Sequence, residues 1–60
     1  MIINAYARNR EDLAARCRRC ELSAMQTQLV LRIYDGYCKT ESTREAKRRT
    51  LTVIEAWRKP

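Results

Sequence analysis

Small and apolar residues recur at alternating intervals of four and three along much of the chain. They form the set Leu13, Cys17, Cys20, Ala24, Thr27, Leu31, Tyr34 and Cys38, and Tyr6 stands one heptad earlier. This spacing places all of these side chains on one side of an α-helix. The pattern therefore predicts a long helix over residues 9–35.

A second apolar set lies on the opposite side of the later half of this helix. It comprises Leu22, Met25, Leu29 and Ile33. A helix that is apolar on two faces must be covered on both. The C-terminal segment covers one face, so the second set predicts an interface with another copy of the chain, and hence a homodimer.

The helix ends are predicted from capping residues. Asn9 is the expected N-cap because Glu11 and Asp12 follow in the first turn, where the helix dipole favours acids. Gly36 suits the left-handed position beyond a helix and predicts the C-terminus there. Residues 1–8 then form a lead. The apolar residues of this lead are Ile2, Ile3 and Tyr6. Three alternatives are open for them: they pack against the helix as a hydrophobic staple, they pair as a short strand, or they fray.

Ser23 introduces an ambiguity. Together with Gln26 it matches a capping box, in which each side chain satisfies a backbone N–H group at the start of a new helix. Against a break, no Gly or Pro is present between Leu13 and Asp35, and the heptad phase continues through the serine. We therefore expect one long helix, bent at most, rather than two.

A second helix is predicted over about residues 43–58, after a linker at residues 36–41, because Ser42 and Glu45 form another capping box. Its buried side is expected to comprise Ala46, Thr50, Val53, Ile54 and Trp57. Its outer side comprises Arg44, Arg48, Leu51, Glu55 and Arg58. The expected fold class is all-α: a helical hairpin, a single domain over residues 1–60, that pairs as a homodimeric bundle.

Size and charge narrow the function classes. A chain of 60 residues is near the lower limit for an autonomous core, which again favours oligomerisation. Its net charge of +6 favours nucleic acid, an anionic surface or an acidic protein face as partner, or keeps a small oligomer soluble. No run approaches the ~20 apolar residues of a membrane span, and the start lacks a basic n-region. We expect a cytoplasmic protein without a signal peptide.

The motif Cys17-Arg-Arg-Cys20 suggests redox or metal chemistry. A redox pair normally starts a helix after a strand, and zinc needs four ligands, whereas this chain has three cysteines and no histidine. Both thiols lie on the heptad stripe, where small apolar groups pack. We favour packing, with a disulfide, formed within one chain or between copies, or a metal site as alternatives.

Catalytic chemistry has few candidate residues. The chain has no histidine and one glycine, so it offers neither a phosphate-binding loop nor a nucleophile with its base. We expect no enzymatic activity and no cofactor.

The arginines are the better candidates for function. The second helix begins with a basic cluster that can neutralise phosphates. An exposed Leu51 among arginines favours a protein partner instead, because apolar centres rimmed by arginine are common at interfaces. A solvated helix face is the alternative. The cluster is Arg44, Lys47, Arg48 and Arg49, beside Lys39, and the predicted partner-binding residues are Arg44, Lys47, Arg48, Leu51 and Arg58.

Two resemblances add expectations. Residues 22–37, from Leu22-Ser23 to Gly36-Tyr37, followed by Glu41, resemble the opening helix and turn of LuxR-type helix-turn-helix proteins. This resemblance implies DNA binding. Polar residues 42–44 replace the apolar residues that the family has after the Glu, so no recognition-helix residue is assigned.

In size, basicity and helical character the chain also resembles the small early-region accessory proteins of lambdoid phages. That resemblance implies a non-enzymatic protein of the bacterial cytoplasm that alters host or phage development by binding. The expected function is a small regulatory or adaptor protein with a host or phage protein as partner. A DNA-binding regulator that uses the second helix is the alternative.

Overall fold

The computed structural model describes residues 4–58. Within this range the chain forms three α-helices and no strand: α1 at Ala5–Arg19, α2 at Ala24–Tyr37 and α3 at Thr43–Trp57. The predicted all-α class and the second predicted helix are confirmed. The single long helix over residues 9–35, and with it the two-helix hairpin, is wrong, because that stretch is divided between α1 and α2.

The three helices pack in an up-down-up order. The start of α1 lies beside the end of α2, where Tyr6 contacts Asp35. The Asn9 side chain, also in α1, donates to the carbonyl of Thr43 at the start of α3, at 3.4 Å. The helices α1 and α3 therefore run parallel, and α2 runs antiparallel to both.

The core takes one stripe of side chains from each helix. Its fully buried members recur at intervals of four residues, so that they share a face. The polar member, Thr50, donates its hydroxyl to the carbonyl of Ala46 at 2.7 Å, which satisfies it inside its own helix. The buried residues are Leu13 and Cys17 from α1, Val30 and Tyr34 from α2, and Ala46, Thr50 and Ile54 from α3.

Two predicted positions on α3 differ from expectation. The core prediction for Trp57 is wrong, since this residue is 37% exposed. The helix α3 ends there, so no further turn covers the indole. Leu51, expected on the outer side, is half-buried and packs against the core.

Cysteine packing is confirmed for Cys17. This residue is completely buried, and burial raises the pKa of its thiol. Cys20 and Cys38 are half-buried against the core, and all three thiols are free. A buried, protonated thiol behaves as a small apolar side chain.

The helix α1 ends in a Schellman motif. The backbone N–H of Leu22 donates to the carbonyl of Cys17 at 3.0 Å, and the N–H of Glu21 donates to the carbonyl of Arg18 at 3.1 Å. These two bonds require a left-handed residue, and Glu21 supplies it with φ at 60°. Leu22 packs back against the core, which adds the apolar contact that accompanies this motif.

The helix α2 then begins with the capping box present in the sequence. Ser23 Oγ accepts from the Gln26 N–H at 3.1 Å, and Gln26 Oε1 accepts from the Ser23 N–H at 2.9 Å. The helix breaks although the stretch contains no Gly or Pro, because Glu21 itself adopts the left-handed conformation. The capping hydrogen bonds and the core contacts offset the free-energy cost of that conformation. The predicted stripe holds only in part beyond the turn: Tyr34 is buried, Thr27 and Leu31 are half-buried, and Ala24 is exposed.

The predicted N-terminus of α1 is wrong. The helix begins at Ala5, and Asn4 rather than Asn9 is its N-cap, with Oδ1 accepting from the Ala7 N–H at 3.1 Å. Residues 5–8 are helical rather than part of a lead. The predictions for Ile2 and Ile3 lie outside the described residues.

The predicted end at Gly36 is also wrong. This glycine lies inside α2 and has no positive φ, so the helix continues to Tyr37 and is capped by Cys38 in a right-handed conformation. The turn to α3 occupies residues 38–42 instead of 36–41. At its end Ser42 caps α3 as predicted, with its side chain accepting from the Glu45 N–H at 3.2 Å.

A group of polar bonds fixes the start of α1 to the end of α2. Asp35 accepts from the Tyr6 hydroxyl at 2.5 Å and from the Arg10 guanidinium at 3.2 and 3.3 Å. Tyr34 donates its hydroxyl to the carbonyl of Tyr6 at 3.0 Å, and the two rings stack with centroids 5.5 Å apart. Burial raises the pKa of Tyr34 to about 12, so this phenol remains a donor at neutral pH.

Replacing Glu21 with Gly should stabilise the protein, because glycine adopts a left-handed φ without a Cβ clash. We expect a gain of about 1 kcal/mol in the free energy of unfolding, measured in urea. The matched control is Glu11→Gly in the exposed interior of α1, which should lose about 1 kcal/mol. Similar losses at both positions would contradict the turn at Glu21.

Asp35→Asn tests the contact between α1 and α2. Burial alone would raise the pKa of Asp35, but hydrogen bonds from Arg10 and Tyr6 outweigh it and lower the pKa. The carboxylate therefore stabilises the fold above about pH 4, and this contribution is lost as the pH falls through the lowered pKa.

The Asn variant should be about 1 kcal/mol less stable than the wild type at pH 7, a value already reduced for the solvent exposure of the ion pair. The two proteins should converge as the pH falls below the lowered pKa of Asp35, as followed by urea unfolding at a series of pH values. A difference that stays constant over this range would show that the Asp35 carboxylate does not have the assigned role.

Candidate partner-binding site

Four of the five predicted partner-binding residues line one depression on α3. Its volume is about 490 Å³, and Ser42 and Glu45 complete its walls. The four residues are Arg44, Lys47, Arg48 and Leu51. The structure thus places together residues that the sequence grouped by helical spacing alone.

The C-terminal half of α1 extends this depression. A second depression of about 320 Å³ shares Lys47 and Leu51 with the first and adds Arg16 and Arg19 from α1. A third, of about 350 Å³, shares the same two arginines and reaches Arg58.

We call this run of three depressions the α1/α3 furrow. Its cationic side chains are Arg16, Arg19, Arg44, Lys47, Arg48 and Arg58, and its carboxylates are Asp12, Glu21 and Glu45.

Parallel packing of α1 and α3 produces this arrangement. On each helix the basic residues recur at intervals of three or four, so they project along one flank. Arg16 and Arg19 lie in the last turn of α1, where cations complement the carbonyl end of the helix dipole. Because Asn9 lies beside Thr43, the last turn of α1 comes to lie beside the second half of α3, where Leu51 and Arg58 are found.

Three of the furrow cations are paired within the chain. Lys47 bonds Asp12 at 3.1 Å, Arg48 bonds Glu45 at 2.9 Å, and Arg58 lies 3.4 Å from Glu55. The hydrogen bond from Arg48 lowers the pKa of Glu45. The pairs are all substantially exposed, and such pairs contribute little to stability, so a charged ligand can displace them at small cost.

The other three furrow cations are Arg16, Arg19 and Arg44. Within residues 4–58 none of them forms an ion pair, and all three side chains are exposed. A guanidinium offers five N–H donors in a fixed plane, suited to a carboxylate or a phosphate. These side chains are therefore available to an anionic partner.

The floor of the furrow is apolar. Leu51 lines both the first and the second depression and packs against the core. Ala15 and Cys20, both half-buried, extend this floor on the α1 side. The site therefore combines an apolar strip with arginines on both sides.

Arg49 and Lys39 lie outside the furrow. Arg49 bonds Glu41 at 2.8 Å and lies over the Tyr37 ring, 5.8 Å from its centroid, so it holds the turn after α2 against α3. This contact also explains why Tyr37 is half-buried, although the residue follows the predicted end of the long helix. Lys39 lies in the exposed turn itself.

The predicted dimer face is only partly exposed. Three of its residues lie on α2, and Leu22 lies in the turn before this helix. Met25 is 73% exposed and Leu29 is 42% exposed, whereas Leu22 and Ile33 are half-buried. No residue of α2 lines the furrow. The two surfaces are therefore separate, and a partner on one leaves the other accessible.

Sequence reasoning missed Arg16 and Arg19 as furrow residues. Their spacing places them on a flank of α1, beside the Leu13/Cys17 stripe, which identifies them as surface residues and no more. Their position beside Leu51 depends on the parallel packing of α3, which follows only once the chain turns at Glu21.

The described part of the chain contains neither a metal-ligand cluster nor a membrane-spanning helix. No group of three or more Cys, Asp or Glu side chains in it is placed to hold a metal ion. None of its helices combines the length and the apolar content that crossing a membrane requires.

Comparisons of the chain with known protein families, with curated proteins and with solved structures find no match.

Proposed function

We propose that this chain is a small non-enzymatic regulatory or adaptor protein that binds a macromolecular partner through the α1/α3 furrow. The observation that carries the proposal is the strip at Leu51, bordered by arginines from two helices. An apolar centre with an arginine rim is typical of a protein–protein interface.

The charges of the furrow favour a protein partner over nucleic acid. Asp12, Glu21 and Glu45 lie among the cations and would repel the closely spaced phosphates of a duplex. A protein surface can place its carboxylates opposite the arginines and avoid these acids. It also gives Leu51 an apolar group to contact, which a phosphate backbone does not.

The alternative is a DNA-binding regulator. One observation favours it: α3 follows α2 after a short turn, as in a helix-turn-helix, and its first turns carry Arg44, Lys47 and Arg48. The resemblances to LuxR-type proteins and to lambdoid phage accessory proteins are compatible with either proposal, and both imply action in the bacterial cytoplasm.

We further propose that the protein is a homodimer paired through α2. Leu29 and Met25 form an exposed apolar face, flanked by the half-buried Ile33 and Leu22. A second copy would cover the same face symmetrically, because a two-fold interface pairs a surface with itself. Both furrows remain open in such a dimer.

Leu29→Asp tests the dimer. Because Leu29 is 42% exposed in the single chain, the aspartate should spare the fold and separate the copies by burying unpaired charge in the interface. Sedimentation at micromolar concentration should show a dimer for the wild type and a folded monomer for the variant. Gln28→Asp, at the exposed neighbouring position, is the control for added charge. A monomeric wild type would contradict the proposal.

Substitutions along the furrow separate the two functions. Immobilised wild type should retain its partners from a nuclease-treated lysate, whereas Leu51→Ala and Arg44→Gln/Arg48→Gln should lose most of them. For Leu51 we expect a loss of at least 2 kcal/mol in binding free energy, because central apolar residues outweigh rim charges. Arg32→Gln, on the exposed surface of α2, is the control.

The DNA alternative predicts the opposite pattern. Bound material would disappear after nuclease treatment, and Leu51→Ala would have no effect. Binding to a labelled duplex would weaken steeply with salt, and each arginine removed would reduce the slope of log K against log salt by about one unit.

A further inference from the structure

We infer that the α1/α3 furrow binds an acidic amphipathic helix, that is, a helical segment of another protein whose apolar stripe is flanked by Glu or Asp. This inference rests on the proposed function and specifies the partner's chemistry. It follows from the shape of the furrow, the placement of its charges and a comparison with the furrow between α1 and α2.

The furrow has the shape that a helix requires. Its middle depression lies between the parallel helices α1 and α3, and the first lies on α3 alone. Together the three depressions follow α3 from Ser42 to Arg58, which corresponds to about 24 Å at 1.5 Å per residue. A partner segment of about 16 residues would fill it. A helix seated between α1 and α3 would pack its side chains between theirs, as neighbouring helices of a bundle do.

The charges fit two rows of carboxylates on either side of an apolar stripe. Arg16 and Arg19 border the furrow on the α1 side, and Arg44 lies on the α3 side, none of them in an ion pair within residues 4–58. Guanidinium groups bind carboxylates through paired N–H donors, which fixes the orientation of the ligand. In a partner helix with a Leu stripe between two rows of Glu, the stripe would contact Leu51, and each row of Glu would face the arginines on one side of the furrow.

The contrasting furrow between α1 and α2 lacks this charge. A depression of about 280 Å³ is lined there by Tyr6, Arg10, Glu11 and Leu31, together with two alanines. Its one arginine is already bonded through two nitrogens to Asp35, and Glu11 balances the remaining charge. The α1/α3 furrow instead carries six cations and three carboxylates, so charge complementarity favours it over the α1/α2 furrow for an acidic ligand.

The test uses a fluorescent 16-residue peptide, held helical by a lactam bridge, with leucines on one stripe and glutamates on both flanks. One control peptide replaces the flanking Glu with Gln, and a second replaces the Leu stripe with Ser. Anisotropy titrations of the full chain should give a micromolar dissociation constant, as expected for a small interface. Each control peptide should bind at least tenfold more weakly.

The variant Arg16→Gln/Arg19→Gln locates the binding. Both side chains are exposed, so the fold should be unaffected, and affinity for the acidic peptide should fall at least tenfold. Arg8→Gln/Arg32→Gln removes the same charge from exposed positions outside the furrow and should bind as the wild type does.

Three outcomes would overturn the inference: equal affinity for the Glu and Gln peptides, equal losses in the two double variants, or tighter binding of a labelled DNA duplex than of the peptide. Failure of the inference is distinguishable from failure of the proposed function. If the peptide fails but nuclease-resistant capture still depends on Leu51, a protein partner remains and its acidic helical character is wrong.

Discussion

The left-handed conformation of Glu21 reverses the chain between α1 and α2, and the packing of all three helices follows from this reversal. Two backbone bonds, from Leu22 to Cys17 and from Glu21 to Arg18, end α1 there and reverse the chain. The reversal brings α2 back along α1, and the turn at residues 38–42 then places α3 parallel to α1. Without the first turn the arginines of α1 would continue along a single rod, and no furrow would form beside Leu51.

The same reversal makes a core possible in a chain of this size. One stripe from each helix contributes, with Leu13, Tyr34 and Ile54 as the largest fully buried side chains. The polar bonds among Tyr6, Arg10 and Asp35 then fix the open end of the α1–α2 pair. The core leaves the flanks of α1 and α3 to solvent, and these flanks carry the charges that we assign to partner binding.

The sequence predicts the helical class and many of the buried residues better than it predicts where the chain turns. Capping residues and periodicity identify α3 and the buried side chains of Leu13, Cys17 and Tyr34, because these depend on local spacing. The turn at Glu21 escapes prediction because a glutamate stands where glycine is usual, and the unbroken heptad phase conceals it. Val30 is missed for the same reason: on one straight helix it falls between the two stripes, whereas in α2 it faces the core.

For the candidate site, helical spacing alone groups Arg44 with Leu51. The position of Arg16 beside Leu51 depends on how α1 packs against α3, which spacing does not predict.

We propose that α1 and α3 share one binding surface. Amide chemical shifts of the ¹⁵N-labelled protein, followed during titration with the acidic helical peptide, test it most directly. We predict that the perturbed amides and arginine Nε–H groups cluster at Arg16, Arg19, Lys47 and Leu51, while those of Met25 and Leu29 on α2 remain unchanged. Perturbations confined to α2, or to the first turn of α3 without α1, would contradict the account.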